Sequence, residues 1–235
     1  MWQNILVTNP GKTITDKINL SSNWFVQVLH LFCCKLFYII AKLMWRIKVT
    51  GRENLPRGKP IILCPNHASY LDTPLILASI PSWLCRTIFF LGFDYFSKIP
   101  IVRNLIKMGR VIPLDPATNL IDAMRVCSYI LRYHKTICIF PEGGRSPDGT
   151  IQSFKKGVGI LAQELNLQLV PIYIAGSFQA LPRNKFWPKF NQISLTFGKP
   201  CSPDYLKSLG TKLGAKGDYE VIAKGLEQEV NNLKN

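Results

Sequence analysis

Short apolar segments rich in β-branched and aromatic residues alternate with longer helical segments from residue 60 to the end of the chain. The predicted strands are 60–64, 87–92, 110–114, 136–140, 169–174 and 193–197. The predicted helices are 72–80, 99–108, 118–133, 155–166 and 217–233. Strands that alternate with helices form parallel pairs, so this pattern predicts an α/β fold in which helices flank a largely parallel sheet on both faces.

A long apolar segment, "WFVQVLHLFCCKLFYIIAKLMW", covers residues 24–45 and precedes the first predicted strand. Four polar residues interrupt it, and at 100° per residue they fall within an arc of roughly 140°. They are Gln27, His30, Lys35 and Lys42. This pattern favours a helix that lies in the membrane interface with its basic residues against lipid headgroups. A helix packed on the domain core and a helix that spans the membrane are the alternatives.

The sequence "GRENLP" places Gly51 and Pro56 after this segment, and such residues are typical of a boundary. We therefore predict two parts, an N-terminal membrane-associating helical segment over residues 1–50 and a second domain, which would carry the function, over residues 51–235.

The charge of the chain indicates an anionic partner. Lys and Arg number 29 against 14 Asp and Glu, which gives a net charge of +15, while 47% of the residues are apolar. An excess of base fits nucleic acid, a membrane surface with anionic lipids, or substrates that carry phosphate or coenzyme A. The high apolar content and the lack of any nucleic-acid-binding motif favour the membrane. We expect a membrane-associated protein that binds no nucleic acid.

The seven cysteines are scattered and none shows CxxC spacing. They are Cys33, Cys34, Cys64, Cys85, Cys127, Cys138 and Cys201. An odd, dispersed set of cysteines predicts free thiols in a reducing compartment, with no disulfide framework and no metal site.

The segment "CPNHASYLD", residues 64–72, places His67 directly after a predicted strand and Asp72 five residues later. Loops at the carboxyl ends of parallel strands are the usual place for ligand sites. A carboxylate there could hold the imidazole in one tautomer and let it act as a general base. Alternatively, Asp72 could simply cap the helix that "DTP" begins.

Two further segments could bind an anion. In "FPEGGRSPDGT", residues 140–150, glycines allow backbone N–H groups to approach an anion and Arg145 supplies a forked donor. In "FKKGVG", Lys155 and Lys156 precede a predicted helix whose N-terminus favours phosphate or coenzyme A. A surface turn and an exposed basic face are the respective alternatives.

Together these segments resemble the glycerolipid acyltransferase family, of the 1-acylglycerol-3-phosphate acyltransferase type, from about Gly51 to Pro200. The family block NHxxxxD reads "NHASYLD", FPEGTRS reads "FPEGGRS", and the VPV-like strand reads "LVPIYIAGS". The resemblance implies that His67 is the general base and Asp72 its partner. From the resemblance and from the basic segments we assign eight residues to substrate binding. They are Asn66, Glu142, Gly143, Gly144, Arg145, Ser146, Lys155 and Arg110.

The second block of the family is not matched. The family has a Lys before a short helix and an Arg that closes a strand, whereas here Phe93 or Asp94 takes the first position and Pro116 follows Asp115 at the second. Arg103, Lys107 and Arg110 are the candidates to replace these basic residues, and of them we assign Arg110.

The resemblance implies transfer of a fatty acyl group from acyl-CoA or acyl carrier protein to the free hydroxyl of a lysophospholipid. The expected acceptor is 1-acylglycerol-3-phosphate, which would give phosphatidic acid, and no metal or cofactor is expected. The active site is expected on the cytoplasmic side of a membrane. Acylation of a different lysolipid, or lipid binding without catalysis, are the alternatives.

Overall fold

The computed structural model describes residues 1–11, 23–93, 110–114, 120–183, 185 and 187–234. Its strands are β1 Lys48–Thr50, β2 Ile62–Pro65, β3 Ile88–Phe93, β4 Val111–Leu114, β5 Thr136–Cys138, β6 Leu169–Ala175 and β7 Ser194–Phe197. Its α-helices are α1 Trp2–Val7, α2 Trp24–Trp45, α3 Asp72–Ser79, α4 Ser82–Cys85, α5 Leu120–Arg132, α6 Gly157–Leu165, α7 Ser177–Ala180, α8 Pro203–Lys212 and α9 Glu220–Asn232. The predicted helix 99–108 lies outside the described residues.

Within the described residues the strands form one sheet in the order β1-β7-β6-β2-β5-β3-β4. The pairs β2–β6, β2–β5, β3–β5 and β3–β4 are parallel, and so is β1–β7. Only β6 and β7, among these paired strands, run antiparallel. The predicted α/β fold with a largely parallel sheet is therefore confirmed. Strand β1 was not predicted. It lies before the predicted boundary at residue 51 and pairs with β7.

Alternate side chains of each strand point to opposite faces of the sheet, and each face has its own core. Ile62 and Cys64 pack in the core beneath α5, α6, α8 and α9. Ile61 and Leu63 pack in the other core, beneath α2, α3 and α4. The chain therefore leaves β2 toward one face and leaves β5, the neighbour of β2, toward the opposite face. Ligands bind at such a switch point in open α/β sheets.

Helix α2 has the predicted bounds, and it is the one helix of the described residues that is long and apolar enough to cross a membrane. Its buried residues are His30, Ala41 and Trp45, so the half of the predicted polar arc that begins at His30 packs on the domain. Lys35 and Lys42 lie in the other half of the arc and are exposed. His30 therefore packs on the domain instead of facing headgroups, whereas the contact of the two exposed lysines with headgroups stays a prediction.

The exposed side of α2 carries large apolar residues over its whole length. They are Trp24, Phe25, Val26, Val28, Leu29, Phe32, Leu36, Ile39, Ile40 and Leu43. Contiguous apolar surface of this extent is unusual on a soluble monomer and marks a surface for contact with lipid or protein.

Helix α8 was not predicted, although its start follows a known rule. The hydroxyl of Ser202 accepts a hydrogen bond from the backbone N–H of Tyr205, and Pro203 occupies the first helical position. A serine cap followed by proline favours a helix start because the cap satisfies an N–H that the helix itself cannot. Helices α8 and α9 pack together through glycines, since a Cβ at Gly210 would lie 1.8 Å from the carbonyl oxygen of Val221.

Candidate active site

His67 lies in the loop that follows β2, at the carboxyl edge of the sheet. Its Nδ1 lies 2.8 Å from Oδ2 of Asp72. The Asp72 side chain is 0% exposed and the His67 side chain is 18% exposed. A carboxylate at this distance favours the tautomer with its proton on Nδ1, which leaves Nε2 free to accept a proton from a substrate. The ring of Phe140 stacks on the imidazole with 3.8 Å between centroids and restricts its rotation.

Asp72 also orders its own loop. Its Oδ2 accepts hydrogen bonds from the backbone N–H groups of Ala68 and Ser69, each at 2.8 Å. Leu71 is the N-cap of α3, no side chain caps the helix, and Asp72 is its first residue. The alternative interpretation of Asp72 as a helix cap is therefore wrong. The carboxylate binds the loop before the helix, and this loop is the one that carries His67.

Glu142 joins the two loops at the switch point. Its Oε1 accepts from the N–H of His67 at 2.7 Å, and its Oε2 accepts from the N–H of Gln152 at 3.0 Å. Burial raises the pKa of Glu142 to about 7, against the opposing effect of these two N–H donors. Because both oxygens accept from the backbone, the geometry gives Glu142 a positioning role, and its predicted contact with substrate stays a prediction.

Asn66 and Ser146 are likewise engaged within the protein. The side chain of Asn66 is buried and makes a paired contact with Ile174, donating to its carbonyl at 3.1 Å and accepting from its N–H at 2.7 Å. Ser146 donates its N–H to the carbonyl of His67 at 2.8 Å, and its hydroxyl binds within the following turn. These two residues hold the first and third motifs in place, and their predicted contact with substrate stays a prediction.

Arg145 lies beside the loop of His67. Its guanidinium stacks 3.4 Å above the ring of Tyr70, and its Nη1 lies 3.5 Å from the carbonyl of Arg183. The side chain is partly exposed. Stacking on an aromatic face orients a guanidinium while its N–H groups still point outward. Tyr70 was not singled out in the sequence, although its position between His67 and Asp72 was a signal.

Lys155 lies over Gly143 of the third motif. Gly143 has a φ of +73° and a Cβ at this position would lie only 2.6 Å from Nζ of Lys155. Gly144 is exposed with open space around its Cα. The neighbouring Lys156 instead pairs with Glu220 at 3.3 Å. Lys155 and Arg145 therefore place two basic side chains next to the glycines of the third motif, while Lys156 is paired with Glu220.

Arg110 does not lie at this site, and its predicted role in substrate binding is corrected. It directly precedes β4, at the amino end of the parallel strands, and it donates from Nη1 to the carbonyl of Arg86. His67 follows the carboxyl end of β2, and the length of a four-residue strand, about 13 Å, separates the two edges. The other candidates for the second motif, Asp94, Arg103, Lys107, Asp115 and Pro116, lie outside the described residues.

The chain matches the family model described as Acyltransferase over residues 46–175. It is 31% identical over 170 residues to the chloroplastic 1-acyl-sn-glycerol-3-phosphate acyltransferase LPAT1 of Arabidopsis thaliana, covering 67% of this chain and 46% of the relative. It is 29% identical over 209 residues to the 1-acyl-sn-glycerol-3-phosphate acyltransferase of Saccharomyces cerevisiae, covering 85% of this chain and 64% of the relative. The chain spans about half the length of the plant relatives it matches.

Among solved structures, the fold is similar to the crystal structure of the 1-acyl-sn-glycerophosphate acyltransferase PlsC from Thermotoga maritima. The TM-score is 0.70 at 24% sequence identity, and the match covers 94% of this chain and 85% of that chain. At this identity the match shows a shared fold and leaves the chemistry to the residues of the site.

Proposed function

Because this chain belongs to the acyltransferase family, we propose that it transfers a fatty acyl group from an acyl thioester to the free hydroxyl of a lysophospholipid. Acyl-CoA and acyl carrier protein are the two possible donors. The names of the relatives support 1-acylglycerol-3-phosphate as the acceptor, with phosphatidic acid as the product. The observation that carries the proposal is the His67–Asp72 pair, in which a buried carboxylate holds a partly exposed imidazole at 2.8 Å.

In the proposed reaction, Nε2 of His67 removes the proton of the acceptor hydroxyl while its oxygen attacks the thioester carbonyl carbon. The imidazolium that forms is stabilised by Asp72 through Nδ1–H. The tetrahedral intermediate then collapses, the carbon–sulfur bond breaks, and His67 returns the proton to the leaving thiolate. A new ester and a free thiol result, and the enzyme regains its neutral imidazole. The transfer needs no metal, flavin or nucleotide, because the base and its carboxylate come from the chain itself.

The phosphate of the acceptor is proposed to bind between Arg145 and Lys155. Arg145 offers a forked pair of N–H donors beside the loop of His67, and Lys155 adds a point charge over Gly143. The exposed glycines allow the backbone to approach a phosphate oxygen closely. Glu142, buried and bonded to both loops, keeps the anion site and the base at a constant separation.

The site is proposed to face a membrane that contains anionic lipids, on its cytoplasmic side. The described residues from Leu181 to Lys189 link the site to α2: the hydroxyl of Ser69 donates to the carbonyl of Leu181, and the indole N–H of Trp45 donates to the carbonyl of Lys189. Trp187 is highly exposed in this segment. Phe190, which follows it, is exposed as well. Together with the apolar side of α2, these aromatics would enter the membrane interface next to the site.

The proposal is tested with the purified full chain, radiolabelled acyl-CoA or acyl carrier protein, and a panel of lysolipids with and without a phosphate monoester. Mass analysis of the products should show one added acyl group on 1-acylglycerol-3-phosphate. His67→Ala should abolish the product, while His134→Asn, at an exposed histidine with a left-handed backbone that Asn tolerates, should not. If only another lysolipid is acylated, that lysolipid replaces 1-acylglycerol-3-phosphate as the proposed acceptor. Lipid binding without any product would favour the non-catalytic alternative.

A further inference from the structure

Three potential metal ligands, two from α2 and one from α4, meet where these helices approach each other. Nε2 of His30 lies 3.2 Å from Sγ of Cys85 and 3.7 Å from Sγ of Cys34, and the two sulfurs are 3.6 Å apart. His30 and Cys85 are buried and Cys34 is partly buried. We call these residues the imidazole–thiol cluster. His30 and Cys34 are four residues apart, so both project from the same face of α2.

The spacing of the three atoms is that of one face of a metal tetrahedron. Zn²⁺ binds sulfur at about 2.3 Å and imidazole nitrogen at about 2.0–2.1 Å. With tetrahedral angles, these bond lengths place neighbouring ligand atoms about 3.5–3.8 Å apart. The observed triangle of 3.2, 3.7 and 3.6 Å is within a few tenths of an ångström of this arrangement.

Two guanidinium groups lie near the cluster. Arg86 and Arg110 lie close enough to interact electrostatically with Cys85, and Nη1 of Arg110 donates to the carbonyl of Arg86. Two thiolates balance the charge of Zn²⁺, and with Cu⁺ they leave one negative charge opposite the two arginines.

We propose that His30, Cys34 and Cys85 bind one thiophilic d¹⁰ metal ion, Zn²⁺ or Cu⁺. Thiolate and imidazole ligands select these ions over Mg²⁺ and Ca²⁺. The ion would connect the lipid-facing helix α2 to α4, which follows the helix that begins at Asp72. Its role would be structural, because all three ligands lie outside the loops that carry His67 and Arg145. The cysteines lack CxxC spacing, so the site depends on tertiary packing.

The test uses the full chain in detergent, purified with a reductant, made metal-free, and titrated separately with Zn²⁺, Cu⁺ and Co²⁺. Wild type should bind one equivalent of Zn²⁺ or Cu⁺, melt at a higher temperature when loaded, and show a thiolate-to-Co²⁺ charge-transfer band. Cys85→Ala and Cys34→Ser should each weaken binding by more than the roughly 10–100-fold that loss of an outer hydrogen-bonding partner costs. Cys33→Ser, at a neighbouring thiol of α2 outside the cluster, is the matched control and should bind as wild type does.

Several results would overturn the proposal. The first is the absence of the charge-transfer band from the reduced wild type. The second is equal metal binding by Cys85→Ala and Cys33→Ser, which would place the ion elsewhere. The third is a disulfide between Cys34 and Cys85 in protein that binds no metal after reduction. None of these results depends on acyl transfer, so the proposed function and the metal site can fail separately.

Discussion

The loop of His67 and the imidazole–thiol cluster both hold a histidine next to side chains that can lose a proton, but the two environments are suited to different tasks. His67 is partly exposed and its partner is a carboxylate, whereas His30 is buried against two thiols. A fixed imidazole with an open nitrogen can exchange a proton with a substrate. A buried imidazole between sulfurs can only bind something that enters the cluster. The residue type is the same, and the partners and the exposure decide its use.

Of the variants that test this comparison, His67→Ala is expected to have the largest effect on turnover. Loss of a general base lowers turnover by about 10²- to 10⁴-fold, and we expect acyl transfer to fall by that amount. Metal content and melting temperature should stay close to wild type, because the cluster is formed by other residues. The measurement is the initial rate of acyl transfer beside metal analysis. Turnover within a few-fold of wild type would remove His67 from the chemistry and end the contrast between the two histidines.

Asp72→Asn tests whether a negative charge, and not enclosure alone, distinguishes the loop of His67. Asn can still accept from Ala68 and Ser69, so the loop should keep its shape. It cannot stabilise an imidazolium by charge, and we expect turnover to fall on the order of 10²-fold or more. The rate and the melting temperature are measured together. A normal rate with an unchanged melt would show that Asp72 serves only to order the loop.

Arg145→Ala asks whether the region of His67 also binds the acceptor. A charge-assisted hydrogen bond contributes about 1.5–3 kcal/mol, so the Michaelis constant for the lysolipid should rise roughly 10- to 100-fold. The constant for the acyl donor should change little. Lys156→Ala, which removes a basic residue already paired with Glu220, is the control. Equal changes for donor and acceptor would assign Arg145 to the donor or to packing on Tyr70.

The double variant Trp187→Ala, Phe190→Ala tests whether the exposed aromatics near α2 attach the protein to a membrane. Both aromatics are exposed near the carboxyl end of α2, and their loss should weaken binding to anionic vesicles about 10-fold through lost apolar burial. The measurement is vesicle co-sedimentation over a lipid titration. Tyr133→Ala is the control, because Tyr133 is exposed beside α5 on the opposite face of the sheet. An equal loss in both variants would indicate non-specific association with lipid.

The smallest expected effect is the pH dependence of stability due to Glu142. Its pKa is raised to about 7, so between its ordinary value of 4.5 and 7 the folded protein binds more protons than the unfolded chain. Stability from this group is therefore present at low pH and is lost as pH rises through 7. Glu142→Gln mimics the protonated acid at every pH. The difference in melting temperature, wild type minus Glu142→Gln, should therefore decrease from pH 5 to pH 8. A relative rise would mean that the two N–H donors outweigh burial.

Much of the fold and part of the site could be predicted from the sequence because those features depend on local patterns. The period of apolar residues specifies strands and helices along the chain, and α2 begins and ends at the predicted residues. His67 and Arg145 were recognised because each follows a strand within a short motif. The position of Tyr70 between the motif residues could have been noticed for the same reason.

Contacts between distant residues could not be predicted in this way, because they depend on strand order and on the angles at which helices pack. Tertiary structure turned Glu142 toward two backbone N–H groups, placed Arg110 at the opposite edge of the sheet, and buried His30 of α2. It also brought Cys85 to His30 across 55 residues of sequence. Local sequence determines which elements form and which residues end them. Only tertiary packing decides which side chains from separate elements come into contact, because each contact depends on the positions of all the elements in the fold.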